Sequence, residues 1–470
     1  MISVFFTRLN VLGYCALALA LWGNVVSGRT FTDTQGRSIE AEFIRLEGET
    51  VTIRRGDGMM FDIPLAMLSA GDQAYVKARA GTGLVPTGGP EPAALNELFG
   101  VELFSAEPLW REDVGAVAKR LSWPQESATE RLSSYRLYPP EDYRILEERP
   151  HSAALYAEGG NPERLSLVFA NKGDLGYLSL EAIEEVVESQ AEAMQRRLKR
   201  LLGEPGRINM GKSDLKERVD RWDWRGHAIL LSEQEGEYVA LRVMPPDIAD
   251  NRGFGERLAD SEMSELLPKN VQTHENGDVL VSGIPMVDQG PKGYCVPATF
   301  ERYLRYMSIP ADMYVLAMAG QTGVGGGSNL NAFLDNISHY VSYAGRDLTE
   351  ESMDAEIRDV ARRIDDGIPV MWTMFSTSPY NEVANLRTKE RKAQDDWQAW
   401  KERCESEDEL AETMVPQSRQ NPHMCMIVGY NAETGELAVS DSWGPAYELR
   451  WITEEQAKQA SAGLFYIIKI

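Results

Sequence analysis

Two short segments constrain the fold of this 470-residue chain more than any other feature. They carry a side-chain amide and a thiol at Gln289 and Cys295, and an imidazole and a carboxylate at His423 and Asp441. The spacings are 6 residues from amide to thiol, 128 from thiol to imidazole, and 18 from imidazole to carboxylate. These groups can act together only where the fold brings the two segments into contact. Where a reactive thiol works with partner residues later in the chain, a separation of ~130–150 residues is a known arrangement, and the spacing here is of that order.

The thiol is predicted to lie at the start of a helix. Pro297 suits the first turn of a helix, where its missing N–H does no harm, and the helical pattern continues to Tyr306. A cysteine at this position faces the positive end of the helix dipole, which favours thiolate over thiol. The pattern therefore indicates a reactive Cys295, and a buried structural cysteine is the alternative.

The imidazole and the carboxylate each adjoin a predicted strand. His423 precedes the apolar residues 424–428, and Asp441 follows the apolar residues 436–440. A carboxylate on the second ring nitrogen of a histidine fixes the tautomer that can act as a base. Trp443 is expected to shield this contact from water. The alternatives are a histidine of the core or surface and an ordinary aspartate before a turn.

These residues resemble the papain superfamily, and within it the peptidases related to the double-glycine leader-processing family. Gln289, Cys295 and His423 match by position and role, and Asp441 as the third member is similar to the leader-processing branch. The resemblance implies a papain-like fold for residues 271–470. It also implies a Cys-His-Asp triad, with an oxyanion hole from the Gln289 amide and the Cys295 backbone N–H. No metal or organic cofactor is implied.

The chain departs from the papain pattern around the nucleophile. Lys292, Tyr294 and Val296 stand where the papain signature has a cysteine, a small residue and an aromatic residue. The cleft preferences of papain are therefore not carried over. Residues 380–416 are charged and are predicted to form a helical insertion, either a lid or a solvated decoration, with the decoration favoured by composition.

The N-terminal region after residue 28 reads as a small β module. Residues 39–44 and 50–54 alternate apolar and polar side chains, as half-buried strands do, and residues 61–64 and 68–75 close the module. Residues 29–78 resemble the SH3-like Sla-type homology domain, which implies a module that binds or localises peptides. A structural appendage is the alternative. Residues 79–94 form a linker by composition.

Residues 95–250 are predicted to form an α+β domain of unknown function. The candidate strands are 152–156, 165–169, 227–231 and 238–243, with a long helix at 180–202. No metal-ligand spacing or nucleophile–base pair stands out in this region. His151 and His227 are interpreted as surface or core residues. The whole chain is accordingly assigned to the α+β class.

The first 28 residues are predicted to be a signal peptide. They contain Arg8 and no acidic residue, then a 12-residue apolar run too short to span a bilayer as a helix. The expected location is secreted or periplasmic, without a stable membrane anchor. Removal of this segment leaves three cysteines, which is no disulfide framework. A bridge between Cys404 and Cys425 is left open, and Cys425 is otherwise assigned to packing.

Charge narrows the choice of partners. The 72 acidic and 48 basic residues give a formal charge of −24, which disfavours binding to nucleic acid. The sequence as a whole predicts an exported cysteine peptidase that hydrolyses peptide or amide bonds of a peptide or protein substrate. One alternative is a transglutaminase-like acyl transferase, against which the long interval from cysteine to histidine argues. The other is a non-catalytic peptide-binding protein on a peptidase fold.

Overall fold

The computed structural model describes residues 29–55, 59–69, 71–73, 76–77, 89–255 and 258–470. The predicted signal peptide and residues 79–88 of the predicted linker lie outside these ranges. The chain divides into two compact units. The first ends at Gly89, and the second begins at Pro90. Within the described residues, no helix has the length and apolar character needed to cross a membrane.

The first unit is an antiparallel meander of four strands. They are β1 (Arg29–Thr32), β2 (Ser38–Glu47), β3 (Thr50–Arg55) and β4 (Met60–Pro64). Alternation places Phe31, Val51 and Ile53 in the core of this unit. Asp33 fixes the β1–β2 turn, because its carboxylate accepts the Arg37 backbone N–H at 2.8 Å and its guanidinium at 2.7 Å. The two predicted strands, 39–44 and 50–54, are confirmed as parts of β2 and β3, and the SH3-like identity stays a prediction.

The second unit begins with an antiparallel sheet of eight strands in the order β5-β6-β7-β8-β12-β11-β10-β9. The strands are β5 (Gln125–Ala128), β6 (Leu132–Leu137), β7 (Ser152–Glu158), β8 (Asn161–Asn171), β9 (Gly206–Met210), β10 (Glu217–Trp224), β11 (His227–Gln234) and β12 (Tyr238–Met244). The helices are α1 (Pro92–Phe99), α2 (Val114–Leu121), α3 (Leu180–Leu202) and α4 (Pro246–Asp250). Helix α3, with the predicted bounds, lays its apolar face on this sheet. We call this part the middle domain.

A second eight-stranded sheet forms the C-terminal part of the unit. Its order is β13-β14-β17-β16-β20-β15, and β18 pairs with both β17 and β19. The strands are β13 (Val271–Thr273), β14 (Asp278–Val281), β15 (Asp347–Glu351), β16 (Val370–Phe375), β17 (Pro422–Asn431), β18 (Glu436–Ser440), β19 (Arg450–Thr453) and β20 (Ser461–Lys469). The helices are α5 (Asp260–Lys269), α6 (Cys295–Tyr306), α7 (Met313–Ala319), α8 (Leu330–Tyr343), α9 (Ile357–Asp365), α10 (Ser378–Arg391), α11 (Trp397–Glu409), α12 (Ala411–Met414) and α13 (Glu454–Ala460).

Helix α6 packs on one face of this sheet. Phe300, Tyr303 and Leu304 share a buried cluster with Met424 and Met426 of β17. The apolar positions of the helix therefore set its first residue, Cys295, against the start of that strand.

The charged insertion is helical as predicted, but the preference for a solvated decoration is wrong. Helices α10 and α11 bury Arg387, Arg391 and Trp400, which are 1%, 7% and 1% exposed. All three donate to the carboxylate of Glu436 on β18, at 3.0, 2.9 and 3.0 Å. Thr434 donates a fourth bond at 2.8 Å. The arginines and the glutamate compensate one another, so the insertion is bound to the sheet by buried charge.

Replacing Glu436 by glutamine is expected to lower the free energy of unfolding by about 3 kcal/mol or more. The substitution puts an NH2 group where a buried oxygen accepts from arginine, so buried donors lose their acceptor, and Arg387 and Arg391 keep only Glu407 and Asp278 as carboxylate partners. Urea denaturation of the purified chain measures the effect. The matched control is Glu192→Gln, which removes an exposed pair with Arg196 and should cost no more than about 0.5 kcal/mol. Equal losses for both variants would contradict this account.

Candidate active site

The nucleophile end of the site is the first turn of helix α6. Three side-chain bonds fix this helix to the surrounding chain. Thr299 Oγ1 donates to the Met424 carbonyl at 3.1 Å. Arg302 donates through Nε to the Pro285 carbonyl at 3.0 Å and through Nη2 to Ser440 Oγ at 2.6 Å. Both side chains are buried, so the thiol position is set by helix–sheet bonds that exclude water.

His423 and Asp441 lie together because their strands are neighbours. Strand β17 pairs with β18, with Met426 opposite Ser440, so the start of one strand meets the end of the other. His423 Nε2 donates to Asp441 Oδ1 at 2.9 Å. This bond leaves Nδ1 as the ring nitrogen for the hydrogen bond between His423 and Cys295. The ring of Trp443 stacks on the imidazole at 4.6 Å and shields it, as the sequence predicted.

The electrostatics of Cys295, His423 and Asp441 favour an ion pair between the Cys295 thiolate and the His423 imidazolium. Burial raises the pKa of the Cys295 thiol, but the hydrogen bond and charge of His423 outweigh burial, and the pKa falls below its usual range. Burial lowers the pKa of His423, whereas the bonds to Asp441 and Cys295 raise it more, to about 9. A half-buried thiol with a lowered pKa beside an imidazole with a raised one is the combination that activates a cysteine.

Arg450 completes the site, and sequence reasoning missed it. Its Nε donates to Asp441 Oδ2 at 2.8 Å, and its Nη1 donates to Asn381 Oδ1 at 2.9 Å. Asn385 Oδ1 lies 3.3 Å from the same nitrogen. The guanidinium is 2% exposed, so this buried cation compensates the buried carboxylate. The sequence offers one weak signal, an arginine directly before the apolar pair Trp451 and Ile452. A polar residue at such a position of a strand is common and does not by itself point to a site.

Gln289 lies in the loop before helix α6. Its backbone N–H donates to the carbonyl of Ser442, the residue after Asp441, at 2.9 Å. Its side-chain Nε2 donates to the Lys292 carbonyl at 2.9 Å, and the residue is 8% exposed. An amide nitrogen carries two hydrogens, so one N–H is anchored and the second remains for a further acceptor.

Cys425 shares this end of the sheet without sharing its chemistry. One ligand atom each of His423, Cys425 and Asp441 lie within 4.8 Å of one another. Burial raises the pKa of the Cys425 thiol well above its usual range, and the guanidinium of Arg450 already pairs with the carboxylate. Both oxygens of Asp441 already accept hydrogen bonds, one from His423 and one from Arg450, so we assign these three groups to packing and hydrogen bonding.

The remaining candidate residues lie away from the site. His227 is buried and satisfied, because Nε2 accepts the Leu109 backbone N–H at 3.2 Å, and burial lowers its pKa to about 4. This bears out its interpretation as a core residue. Cys404 and Cys425 are free and buried, and Arg387 donates to the Cys404 sulfur at 3.1 Å. The two cysteines therefore form no bridge in this structure.

Replacing Arg450 by glutamine is expected to raise the pKa of both Cys295 and His423 by about one unit. Loss of a positive charge beside Asp441 favours the protonated form of every titrating group nearby. Thiolate absorbance in the ultraviolet follows Cys295, and NMR of the imidazole ring follows His423. Arg450→Lys keeps the charge and should shift both values less. Unchanged pKa values in Arg450→Gln would show that the guanidinium has no electrostatic effect on the pair.

A family model and a solved structure are similar to part of this chain. Residues 281–462 match the family model described as Peptidase_C39 like family, and this span contains Gln289, Cys295, His423 and Asp441. No curated protein matches the chain. Among solved structures, the peptidase domain of Streptococcus ComA, a bi-functional ABC transporter involved in a quorum sensing pathway, is 12% identical. The match covers 40% of this chain and 98% of that one, with a TM-score of 0.25, too low to support an argument. The family match supports a cysteine peptidase, with similarity to the C39-like family over residues 281–462.

Proposed function

We propose that the protein is an exported peptidase that hydrolyses peptide or amide bonds, with Cys295 as nucleophile and His423 as base and acid. The observation that carries the proposal is the hydrogen bond from His423 to buried Asp441, together with the influence of His423 that lowers the pKa of the half-buried Cys295 thiol. Each group in the series has the charge that nucleophilic catalysis requires at neutral pH.

In the first half of the reaction, the Cys295 thiolate attacks the carbonyl carbon of the substrate. A carbon–sulfur bond forms, and the carbonyl oxygen becomes an oxyanion. The second N–H of the Gln289 amide and the Cys295 backbone N–H are the proposed donors to that oxyanion. The His423 imidazolium then gives its proton to the leaving nitrogen, the carbon–nitrogen bond breaks, and a thioester remains.

In the second half, neutral His423 takes a proton from water while the water oxygen attacks the thioester. The carbon–sulfur bond breaks, the acid product leaves, and the thiolate–imidazolium pair forms again. Asp441 keeps Nε2 protonated throughout, so Nδ1 always faces the reacting atoms. Stacking of Trp443 protects this bond from competing water.

Export and the role of the N-terminal unit belong to the proposal as well. The basic and apolar pattern of residues 1–28 supports secretion or a periplasmic location. The meander of β1 to β4 supports an SH3-like module for a peptide ligand. Hydrolysis, as opposed to acyl transfer, is tested by adding methylamine and measuring whether the acyl group passes to it in preference to water.

A papain-directed epoxysuccinyl inhibitor is expected to label Cys295 selectively under reducing conditions. The activated thiolate opens the epoxide, whereas Cys404 and Cys425 are buried thiols whose pKa values are raised. Peptide mapping by mass spectrometry locates the added mass. His423→Ala should reduce labelling at least a hundredfold, because it removes the group that lowers the thiol pKa.

The matched control is His339→Ala, at the other histidine that follows Cys295 in the chain. His339 is exposed on helix α8, and its replacement should leave labelling unchanged. Absence of labelling at Cys295 in the unmodified protein would defeat the proposal of an activated nucleophile.

A further inference from the structure

The loop that carries Gln289 is attached to the middle domain. We call residues 285–294 the nucleophile loop. The Met286 backbone N–H donates to Ser127 Oγ at 2.9 Å, and the Asp288 backbone N–H donates to Glu126 Oε1 at 2.8 Å. Tyr138 Oη donates to the Asp288 carbonyl. Three side chains of the middle domain thus hold the backbone just before Gln289.

Lys292 is the centre of a second set of contacts. Its ammonium lies 3.1 Å from Asp174 Oδ1, and its side chain is 2% exposed. The rings of Tyr138, Tyr294 and Tyr314 surround the ammonium at 4.9, 5.7 and 5.4 Å. A lysine is rarely buried this fully without a partner, so the carboxylate from the middle domain is what keeps the cation inside.

The carbonyl of this same lysine anchors the Gln289 amide at 2.9 Å. Within the described part of the chain, Gln289 Oε1 has no hydrogen-bond partner. The bond from Nε2 to the Lys292 carbonyl is therefore the hydrogen bond that holds this side chain. Any movement of Lys292 therefore rotates or releases the Gln289 N–H groups.

Close packing limits how far the loop can move. Tyr294 Oη donates to Asn171 Oδ1 at 2.9 Å. A Cβ added at Gly173 would lie 2.5 Å from Tyr294 Oη. On the other side, a Cβ added at Gly326 would lie 2.5 Å from the backbone nitrogen of Gly293. The nucleophile loop is thus confined on one side by the turn after β8 and on the other by the glycine-rich loop 323–327.

We propose that the middle domain is part of the catalytic apparatus, with Asp174 and Lys292 as a positioning pair that holds the Gln289 amide toward the oxyanion. The inference rests on the proposed function, since it assigns the middle domain to the oxyanion side of that site. Neither residue of the pair touches the reacting atoms. They act through the Lys292 carbonyl and Gln289.

Two reagents separate the oxyanion donors from the thiolate. Acylation of Cys295 by p-nitrophenyl acetate passes through a tetrahedral oxyanion, whereas alkylation by iodoacetamide does not. Both need the activated thiolate, and neither needs a known peptide sequence. The measured quantity is the ratio of the acylation rate to the alkylation rate, with each adduct located at Cys295 by mass spectrometry.

Asp174→Asn is expected to lower this ratio about tenfold while the alkylation rate and its pH dependence stay unchanged. Gln289→Ala should lower the ratio about a hundredfold, the usual effect of one oxyanion donor. The double variant should be no worse than Gln289→Ala alone, because Asp174 acts only through that amide. Independent effects that multiply to about a thousandfold would overturn the inference.

Tyr294→Phe is a second variant, which tests the inference if Asp174→Asn does not fold. It removes the hydrogen bond to Asn171 without leaving a buried charge, and should lower the ratio a few-fold. An unchanged ratio in both Tyr294→Phe and Asp174→Asn would also overturn the inference. If Asp174→Asn loses alkylation through misfolding, Tyr294→Phe alone decides. The control Glu192→Gln, on the exposed face of α3, should change neither rate.

Failure of the two proposals is distinguishable. If the unmodified protein alkylates Cys295 no faster than a free thiol, the proposed nucleophile fails, and the positioning pair has nothing to position. If alkylation is fast and the variants leave the ratio unchanged, the nucleophile stands and the role of the middle domain is rejected.

Discussion

The site depends on how the buried carboxylate of Asp441 is compensated. A carboxylate that is 1% exposed is costly unless charged partners satisfy both oxygens. Here one oxygen accepts from His423 and the other from Arg450. The compensation fixes the imidazole, and the imidazole in turn lowers the pKa of Cys295. Burial raises the pKa of Asp441, but these two partners outweigh it, so the carboxyl stays ionised.

The same rule explains why the flanking parts of the unit are attached where they are. Arg450 is held by Asn381 and Asn385 of helix α10, so the insertion supports the base side of the site. Lys292 is held by Asp174 of the middle domain, on the side of Gln289. Each part contributes a polar group to a charge that the peptidase fold has buried. We infer that insertion and middle domain are matched to opposite sides of one site.

Sequence periodicity was sufficient for most of the regular structure near the site. The apolar spacing of residues 180–202 and 295–306 and the runs at 424–428 and 436–440 correspond to helices and strands of the structure. Cys295 lies at the start of a helix. His423 lies near the start of β17 and Asp441 directly after the end of the neighbouring strand β18, so predicting these elements also brings the two residues together. Strand β14 ends at Val281, and the chain then leads into the nucleophile loop.

The buried charges could not be predicted in the same way. Lys292, Arg387 and Arg450 read as solvated residues, because charged side chains are seldom buried. Their partners lie far away in sequence: Lys292 pairs with Asp174, 118 positions earlier, and Arg387 with Glu436, 49 positions later. A pattern within one element carries no information about such pairs. The favoured solvated insertion was wrong for this reason.

These pairings bear on how much of the chain the peptidase chemistry requires. The family match begins at residue 281, yet Glu301 of helix α6, 0% exposed, accepts from Tyr156 Oη at 3.0 Å. Its carboxylate also lies 3.9 Å from the guanidinium of Arg136. Without the middle domain, Glu301 and Lys292 would both lose buried partners, on the nucleophile helix and on the loop before it. The physical unit that can hold Cys295 in place is therefore larger than the span the family shares.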